Sequence, residues 1–231
     1  MKTIKTGVII PAAGLGLRYL SPEKKLLSFI KDEPLILYTL RNFIKYPGLN
    51  PIVVVVPEGE MELFSKILPI NYCEKDLRIK EGGRTRAISV HNGIQSICEE
   101  VEIVLIHDGA RPAVSYDLIH NILATTEEKG CAIPVLNVFD NMAVVDSEGR
   151  LSYTLNREHI RLVQTPQGFK KDLLLSSYHK VENWEAFSDE GSLVYAAGYS
   201  VYPVPGDSEN IKVTIKEDIA FTEYLLGRNK K

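Results

Sequence analysis

Short apolar runs alternate along this chain with stretches of helical periodicity. Four runs are rich in β-branched residues and are bounded by turn-forming residues: Val8–Ile10, Ile52–Val56, Val101–Ile106 and Ala132–Leu136. Such runs are typical of parallel strands that are buried on both faces. Helical patterns lie at Leu35–Tyr46, Glu60–Ile67, Arg86–Cys98 and Tyr116–Glu128. The alternation predicts an α/β fold in which helices cover both faces of a mostly parallel sheet, with Ser115 or Asp117 capping the last helix.

The segment from Asn137 to Arg161 breaks this alternation. Two short alternating runs, Met142–Val145 and Leu151–Leu155, flank the turn-forming Ser147-Glu148-Gly149, which predicts a β-hairpin. An isolated hairpin is marginally stable in water. We therefore expect a protruding arm that packs on another subunit; a hairpin folded back on its own sheet is the alternative. Regular elements follow the arm: helices at Lys170–Lys180 and Gly191–Ala197, strands near Ser200–Val204 and Ile211–Val213, and a helix from Glu217.

Small residues and then cations follow the first strand. They are Ala12, Ala13, Gly14, Gly16, Arg18, Lys24 and Lys25. Small side chains let backbone N–H groups approach an anion, and the arginine and a lysine can neutralise phosphate charge. We interpret the segment as a nucleoside triphosphate site. It matches neither the P-loop nor the dinucleotide fingerprint, and a strand-to-helix turn that binds nothing is the alternative.

Further polar groups lie at predicted strand ends or helix starts. Gly82-Gly83 would let the main chain approach a planar base, which Ser89 in the following helix can also reach. Asp108 follows the strongest apolar strand, where a carboxylate can meet Mg²⁺, a ribose hydroxyl or both. Arg111 can then face a second anion. The alternatives are a plain glycine turn and a structural Asp–Arg pair.

Three segments in the second half of the chain bear on this prediction. Lys212 lies within the apolar run Ile211–Val213, where a lysine either extends to solvent or faces the site. Thr165 precedes a proline and offers a hydroxyl, and Arg157 lies on the far limb of the hairpin. Ser188-Asp189-Glu190 is interpreted as a helix cap with acids in the first turn.

Composition narrows the class of protein. The 231 residues, 45% hydrophobic and 25% charged, predict one domain that spans residues 1–231 with an arm at 137–161. A net charge of −3 gives no reason to expect nucleic acid as a partner. We find no apolar run of about 20 residues and no signal peptide, so we expect no membrane contact. Cys73, Cys98 and Cys131 are odd in number and dispersed, which fits a reducing cytoplasm.

Five strings, in this order, resemble the 2-C-methyl-D-erythritol 4-phosphate cytidylyltransferases of non-mevalonate isoprenoid biosynthesis. They are Pro11–Arg18 with Lys24, Gly82–Arg86 with Ser89, His107–Pro112, Gln164–Gln167 and Gly206–Thr214. The first is shared with many sugar-nucleotide transferases, whereas the others together are more specific. The resemblance covers Gly7 to about Asp218, and it implies a single Rossmann-like domain, a homodimer joined by the arm, CTP and Mg²⁺.

The resemblance also implies a role for individual residues. Ala12, Ala13, Gly14 and Gly16 would wrap the CTP, Gly83 and Ser89 would read the cytosine, and Asp108 would bind the ribose. Arg18 and Lys24 would hold the triphosphate and, with Lys212, catalyse the transfer, with Asp108 as the metal ligand. Arg111, Thr165 and Lys212 would hold the methylerythritol phosphate, helped by Arg157 and Asn141 of the partner's arm.

The chain departs from the family pattern in three places, and one of them is Arg84, where the family often has an acidic or small residue after Gly-Gly. The family usually has Pro-Lys-Gln where this chain has Glu23-Lys24-Lys25, so Lys25 is an alternative to Lys24. The arm usually begins Asp-Thr-x-Lys, but here Asn141 replaces the threonine and Ala143 the lysine. The amide of Asn141 can still hydrogen-bond a substrate, although the lysine charge is lost.

The reaction expected is in-line attack of a sugar-alcohol phosphate on the α-phosphorus of CTP. The nucleophile is a phosphate monoester that is largely ionised at neutral pH, so positioned cations matter more than a general base. Transfer to ribitol 5-phosphate is the nearest alternative, and a transferase that uses UTP or GTP is a more distant one. A non-catalytic nucleotide-binding or dimerisation module is the alternative from another class.

Overall fold

The computed structural model describes residues 4–14, 19, 24–70, 74–97 and 100–228. Its strands are β1 (Thr6–Pro11), β2 (Phe29–Ile30), β3 (Glu33–Pro34), β4 (Leu49–Val56), β5 (Leu77–Glu81), β6 (Ile103–Ile106), β7 (Cys131–Asn137), β8 (Met142–Val145), β9 (Leu151–Leu155), β10 (Arg161–Val163), β11 (Gln167–Lys170) and β12 (Tyr202–Pro205). Its α-helices are α1 (Leu35–Lys45), α2 (Met61–Ile67), α3 (Arg86–Gln95), α4 (Tyr116–Lys129), α5 (Lys171–Lys180), α6 (Glu190–Ala196) and α7 (Asp218–Arg228).

Within this part of the chain, eight strands form one mixed sheet. Its order is β10-β7-β11-β6-β1-β4-β5, and β12 pairs with β7. Strands β5, β4, β1 and β6 are parallel to one another, and β12 is parallel to β7. Only β10 and β11 run antiparallel within this sheet. The predicted α/β fold with a mostly parallel sheet is confirmed.

Two apolar layers cover the sheet because successive strand residues face opposite sides. Val8 and Ile10 of β1 pack in a cluster with apolar residues of α1, α2 and α4. Ile9 lies between them in sequence and packs on the other face, with residues of α3, α5 and α6. This confirms helices on both faces, and it explains why β1 has no polar position between Val8 and Ile10.

Helix starts are capped by short polar side chains. The Ser115 hydroxyl accepts a hydrogen bond from Leu118 N at 3.3 Å, which decides between the two predicted caps of α4. Thr85 caps α3 in the same way by accepting from Ile88 N at 3.2 Å. Each hydroxyl oxygen pairs one N–H group that the first helical turn leaves without a partner.

Several details of the predicted fold are wrong. The short strands β2, β3 and β10 are absent from the predicted elements. Strand β11 is absent from the predicted elements; it is four residues long, and Gly168 at its centre gives no apolar side chain to reveal it. Ile211–Val213 is not a strand: it joins no sheet, and Val213 N donates to Ala110 O at 2.9 Å in a loop. The direction of the Lys212 side chain is therefore not set by the alternation of a strand, and this side chain faces the cleft described below.

The predicted hairpin is confirmed at residues 137–161. Asn137 of β7 pairs with Arg161 of β10, and the chain between them leaves the sheet. Strands β8 and β9 pair with each other and with no further strand of the described residues. Phe139 is 82% exposed and Leu151 is 65% exposed. The alternative prediction, a hairpin folded back on its own sheet, is therefore wrong. Packing of the arm on another subunit stays a prediction.

The remaining expectations concern the cysteines and the membrane. Cys131 is a buried free thiol, and burial raises its pKa to about 11, so the thiol is protonated and unreactive at neutral pH. Cys73 and Cys98 lie outside the described residues. None of the described helices has the length and apolar character that crossing a membrane requires.

Gly168 supplies a test of the packing between β11 and α4. A Cβ there would lie 2.2 Å from Thr126 Oγ1 and 2.8 Å from Ile122 Cγ2. We expect Gly168→Ala to destabilise the fold by about 1–3 kcal/mol through overpacking, which thermal unfolding would detect as a lower Tm. Gly227→Ala is the control, because a Cβ in this exposed turn of α7 would meet only Lys31 Nζ at 3.5 Å. Equal Tm values for the two variants would contradict the packing.

Candidate active site

Parallel strands bring the predicted segments to one edge of the sheet. Ala12–Gly14 follows β1, Gly82-Gly83 follows β5 and His107-Asp108 follows β6, so all three lie at carboxyl ends, where such sheets bind ligands. A cleft of about 630 Å³ opens there, within the usual range for a small-molecule site. It is lined by Ala13, Gly14, Lys25, Pro57, Glu58, Glu60, Gly83, Arg84, Thr85, Arg86, Ser89, Lys212 and Thr214. We call it the main cleft.

The glycine pair at one wall of the main cleft admits no side chain. A Cβ on Gly82 would lie 2.6 Å from Ala13 Cβ, and one on Gly83 would lie 2.2 Å from Ile88 Cγ2. The Ser89 hydroxyl accepts from Gly83 N at 3.1 Å and donates to Thr85 O at 2.9 Å. Ser89 is 1% exposed, so its visible role is to hold the glycine loop in place.

Two lysines lie on the opposite side of the main cleft. Lys24 Nζ forms an ion pair with Glu60 Oε1 at 2.6 Å, whereas Lys25 lines the main cleft directly. Both line a small adjoining pocket beside Ala12 and Gly14. The structure thus brings both predicted lysines to the site, with Lys25 nearer to the main cleft. Gly16 and Arg18, also predicted for this site, lie outside the described residues.

Asp108 lies at the centre of a cluster of charges. Its Oδ1 accepts from Arg86 Nε at 3.1 Å, and its Oδ2 accepts from Lys212 Nζ at 2.7 Å. Arg111 Nε is 3.9 Å from Oδ2. Burial alone would raise the pKa of Asp108, but the charges of Arg86, Lys212 and Arg111 hold it well below its usual range. The carboxylate therefore stays ionised although it is only 8% exposed.

Arg86 and Glu190 are site residues that the sequence prediction missed. Arg86 Nη1 donates to Glu190 Oε1 at 3.0 Å and to Oε2 at 2.9 Å. The predicted cap with an acid in the first turn of α6 is confirmed, because Asp189 accepts from Ser192 N at 2.9 Å and Glu190 lies in the first turn. The pairing of Glu190 with Arg86 goes beyond that local role. The signal was present in Gly-Gly-x-x-Arg-x-x-Ser, because an arginine that opens a helix after a glycine loop faces the same cleft.

A smaller cleft of about 120 Å³ lies on the other side of Arg86, Asp108 and Lys212. Arg111, Gln164, Thr165 and Gln167 are among its lining residues. The Thr165 hydroxyl accepts from Asp108 N at 3.0 Å, and Arg111 Nη1 donates to Asn210 O at 2.7 Å. Arg111 Nε and Gln167 Nε2 are buried without a hydrogen-bond partner. Unpartnered buried donors in a cleft favour an anionic or hydroxyl-bearing ligand.

Asn141 and Arg157 lie apart from both clefts. Arg157 Nη1 donates to Phe139 O and lies 3.5 Å from Asn141 Oδ1, and neither residue is among the lining residues of the two clefts. The structure therefore brings these two predicted residues to each other, at the root of the arm. It does not bring them to the site of their own chain.

The site fits a magnesium ion that would be held mainly by the phosphate groups of a bound substrate and only in part by the protein. Within residues 4–228, as far as they are described, no group of three or more His, Cys, Asp or Glu side chains could hold a metal. Asp108 lines a pocket that also holds Gly14, Lys25 and Ser89, and each of its oxygens has a further lone pair. Magnesium commonly takes one or two carboxylates and completes its shell with phosphates and water.

Comparisons with known proteins identify the family. The model of the 2-C-methyl-D-erythritol 4-phosphate cytidylyltransferase family matches residues 6–228. The chain belongs to this family. A relative of that name from Bacillus anthracis is 38% identical over 226 residues, which are 97% of this chain and 99% of the relative. Another, from Alkaliphilus oremlandii, is 34% identical over 229 residues, 98% of this chain and 97% of the relative.

Solved structures agree with this family membership. The cytidylyltransferase from Thermus thermophilus superposes with a TM-score of 0.79 at 31% identity, covering 96% of this chain and 98% of that one. The 4-diphosphocytidyl-2C-methyl-D-erythritol synthase from Anaerococcus prevotii superposes with a TM-score of 0.82 at 26% identity, covering 98% and 97%. Because both chains are covered almost fully, the sheet, the helices and the arm all belong to the shared fold.

His107 makes the fold sensitive to acid. Its ring lies 3.0 Å from Arg111 O and 3.2 Å from Thr165 Oγ1, and burial lowers its pKa to about 4. Unfolded histidine titrates near pH 6.5, so between about pH 6.5 and pH 4 the unfolded state binds a proton that the folded state does not. We expect the free energy of unfolding to decrease as the pH is lowered from about 6.5 to about 4, by up to about 3 kcal/mol.

Urea unfolding at pH 7.5 and pH 4.5 would measure this loss. His107→Gln keeps a side-chain N–H for Arg111 O but cannot titrate, so it should lose less stability between the two pH values. His120→Gln is the control, because His120 is exposed on α4 and should behave like the original protein. An unchanged pH dependence in His107→Gln would contradict the assignment.

Proposed function

We propose that this chain transfers the CMP group of CTP to 2-C-methyl-D-erythritol 4-phosphate and releases pyrophosphate. The observation that carries the proposal is the pair of clefts that meet at Asp108. The main cleft has the volume of a nucleotide site, and its small residues let a ligand approach the backbone. The smaller cleft has buried donors without hydrogen-bond partners in the described part of the chain, which suit a sugar-alcohol phosphate. Relatives that match this chain over nearly their whole length carry the name of this activity.

Each predicted residue receives a role from its place in the clefts. Ala12, Ala13 and Gly14 offer backbone N–H groups to the triphosphate, and Gly83, held by Ser89, offers its backbone to the edge of the cytosine. Lys24 or Lys25 neutralises the triphosphate, and Lys25 has the more direct access. Gly16 and Arg18 keep their proposed roles as a triphosphate-binding glycine and a catalytic cation on the evidence of the sequence motif.

Asp108 is the candidate residue for both the ribose and the metal. When bound, magnesium would neutralise negative charge on the triphosphate oxygens. One carboxylate oxygen of Asp108 would be the protein's ligand to the magnesium ion. The same carboxylate would also keep Lys212 and Arg86 in place. The ribose hydroxyl would compete for the same oxygens, and Asp108 is therefore the residue at which nucleotide, metal and cations meet.

The chemical step needs cations and positioning rather than a base. The phosphate of the second substrate has a second pKa near 6 and is mostly a dianion at neutral pH. Lys212 lines both clefts, so it can hold the attacking phosphate and the α-phosphate of CTP at the same time. Arg111 and Thr165 orient the second substrate from the smaller cleft. Bringing two anions together in line is the main energetic obstacle, which preorganised cations lower.

The arm supplies the remaining proposed contacts from a partner subunit. Its apolar side chains are exposed, and Arg157 and Asn141 lie away from the site of their own chain. A homodimer in which each arm covers the partner would bury the apolar residues and bring Arg157 to the partner's smaller cleft. The dispersed cysteines, with Cys131 free, favour the cytoplasm as the location.

Pyrophosphate release tests the proposal directly. The protein is incubated with CTP and Mg²⁺, with either 2-C-methyl-D-erythritol 4-phosphate or ribitol 5-phosphate as the second substrate. We expect release with the first and at most a trace with the second. Release with ribitol 5-phosphate alone would move the protein to a different polyol phosphate. Release with neither, although CTP binds, would favour a non-catalytic nucleotide-binding module.

Mixing two inactive variants tests whether the arm acts on the partner subunit. Arg157→Ala removes the arm cation and Lys212→Ala removes a cation of the cleft, so each homodimer should lose most of its activity. If Arg157 acts across the interface, a mixed dimer contains one site with both defects and one intact site. The purified mixed dimer should then show about half of the original activity.

The mixed dimer is prepared by co-expression with two different affinity tags, and the pyrophosphate assay is repeated after purification on both. A dimer of Arg157→Ala with the original chain, prepared in the same way, serves as the reference. A mixed dimer as inactive as its parents would contradict action across the interface, as would a fully active monomer.

A further inference from the structure

Glu190 is a buried carboxylate in the first turn of α6, and its contact with Arg86 is not explained by that helix alone. It is 2% exposed, and both of its oxygens face Arg86 Nη1, at 3.0 and 2.9 Å. Asp189 already caps α6. Burying an ion pair costs desolvation energy that the attraction barely recovers, so such a pair is weak evidence for stability. A role in the site explains its position better.

Arg86 connects Glu190 to the centre of the site. Its Nη1 is held by Glu190, with Ser188 O a further 3.4 Å contact, while its Nε donates to Asp108 Oδ1 at 3.1 Å. The other oxygen of Asp108 thereby remains available to Lys212 Nζ at 2.7 Å. Four groups of alternating charge thus run from α6 to the loop that holds Lys212: Glu190, Arg86, Asp108 and Lys212.

Guanidinium geometry explains what Glu190 prevents. Arginine readily forms two parallel hydrogen bonds with one carboxylate. Without Glu190, the guanidinium of Arg86 would be free to engage both oxygens of Asp108 and would compete with Lys212 for Oδ2. Glu190 anchors the guanidinium through Nη1, so that Arg86 makes one hydrogen bond to Asp108, through Nε, while its Nη2 has no hydrogen-bond partner among the described residues. If the guanidinium shifted, Nη2 would be the group that could reach Oδ2. The separation of the two cations on the two oxygens of Asp108 therefore depends on a residue that lines neither cleft.

We propose that Glu190 is a positioning residue for the transfer reaction and acts through Arg86 to hold Asp108 and Lys212 in their reactive arrangement. The inference rests on the proposed function for its kinetic consequence, but not for its effect on anion binding. Glu190 also lowers the net positive charge beside both clefts. Removing its charge should disturb the transition-state arrangement and, at the same time, increase the attraction of the site for a triphosphate.

Glu190→Gln is the decisive variant, because it keeps the shape and removes the charge. We expect kcat to fall by about tenfold or more, as when a preorganised charge is displaced. The calorimetric Kd for CTP should stay the same or become up to about threefold tighter, while the Tm falls because the buried guanidinium of Arg86 loses one of its two carboxylate partners. Glu185→Gln is the control, because Glu185 is exposed and lies before α6. This variant has the same net charge and should leave kcat, Kd and Tm unchanged.

A second variant separates positioning from a structural role. In an Arg86→Gln background Glu190 has lost the group it acts through, so adding Glu190→Gln should produce little further loss of kcat. The proposal is overturned if the kcat of Glu190→Gln equals that of Glu185→Gln, or if the two losses multiply. It is also overturned by weaker CTP binding, which a merely structural role would produce.

The failure of the proposed function would give a different result. If the original protein releases no pyrophosphate, the transferase proposal fails, and the Kd for CTP still tests Glu190. Binding that is equal or tighter in Glu190→Gln then supports the charge arrangement, and binding that is weaker overturns it.

Discussion

The site depends on one buried carboxylate, Asp108, and on the cations that keep it ionised. Its position after β6 follows from the sheet, since the carboxyl ends of parallel strands meet at one edge. Burial would otherwise favour the neutral acid, and Arg86, Lys212 and Arg111 prevent this. The dependence is mutual, because three cations that lie so close together would repel one another without the negative charge among them.

This arrangement explains why two clefts share a wall. The main cleft and the smaller cleft are both lined by Arg86 and Lys212, which is where an attacking phosphate and the phosphate under attack must meet. A transferase that joins two anions needs this positive junction more than it needs an acid or a base. Glu190, behind Arg86, then limits how the arginine shares Asp108 with Lys212.

The sequence predicted the fold well where apolar periodicity is strong. Strands β1, β4 and β7 have 6, 8 and 7 residues, β6 has 4 residues that are all apolar and buried, and the hairpin has a clear alternation. Strand β11 was missed because Gly168 replaces a side chain at its centre. Ile211–Val213 looked like a strand because branched residues flank Lys212. It is a loop in which Val213 is buried and its backbone N–H donates to Ala110 O, and periodicity cannot separate these two cases.

Site residues were predictable where a motif surrounds them and not where the partner is distant in sequence. Asp108, Lys212, Thr165 and Arg111 do meet around one junction. Arg86 and Glu190 are separated by 104 positions, and a local cap explained the acids at the start of α6 equally well, so no pattern within α6 indicated their pairing. Only the folded structure, in which the first residues of α3 and α6 lie within hydrogen-bond distance, reveals it.

The most direct test of the central role of Asp108 is the turnover of Asp108→Asn in the pyrophosphate assay with CTP and 2-C-methyl-D-erythritol 4-phosphate. Asparagine keeps the shape of the side chain and removes the charge that orders Arg86 and Lys212. We expect kcat to fall by about 10²-fold or more, while Asp117→Asn, an exposed residue of α4, leaves it unchanged. An Asp108→Asn variant that turns over at nearly the original rate would contradict the view that this carboxylate organises the site.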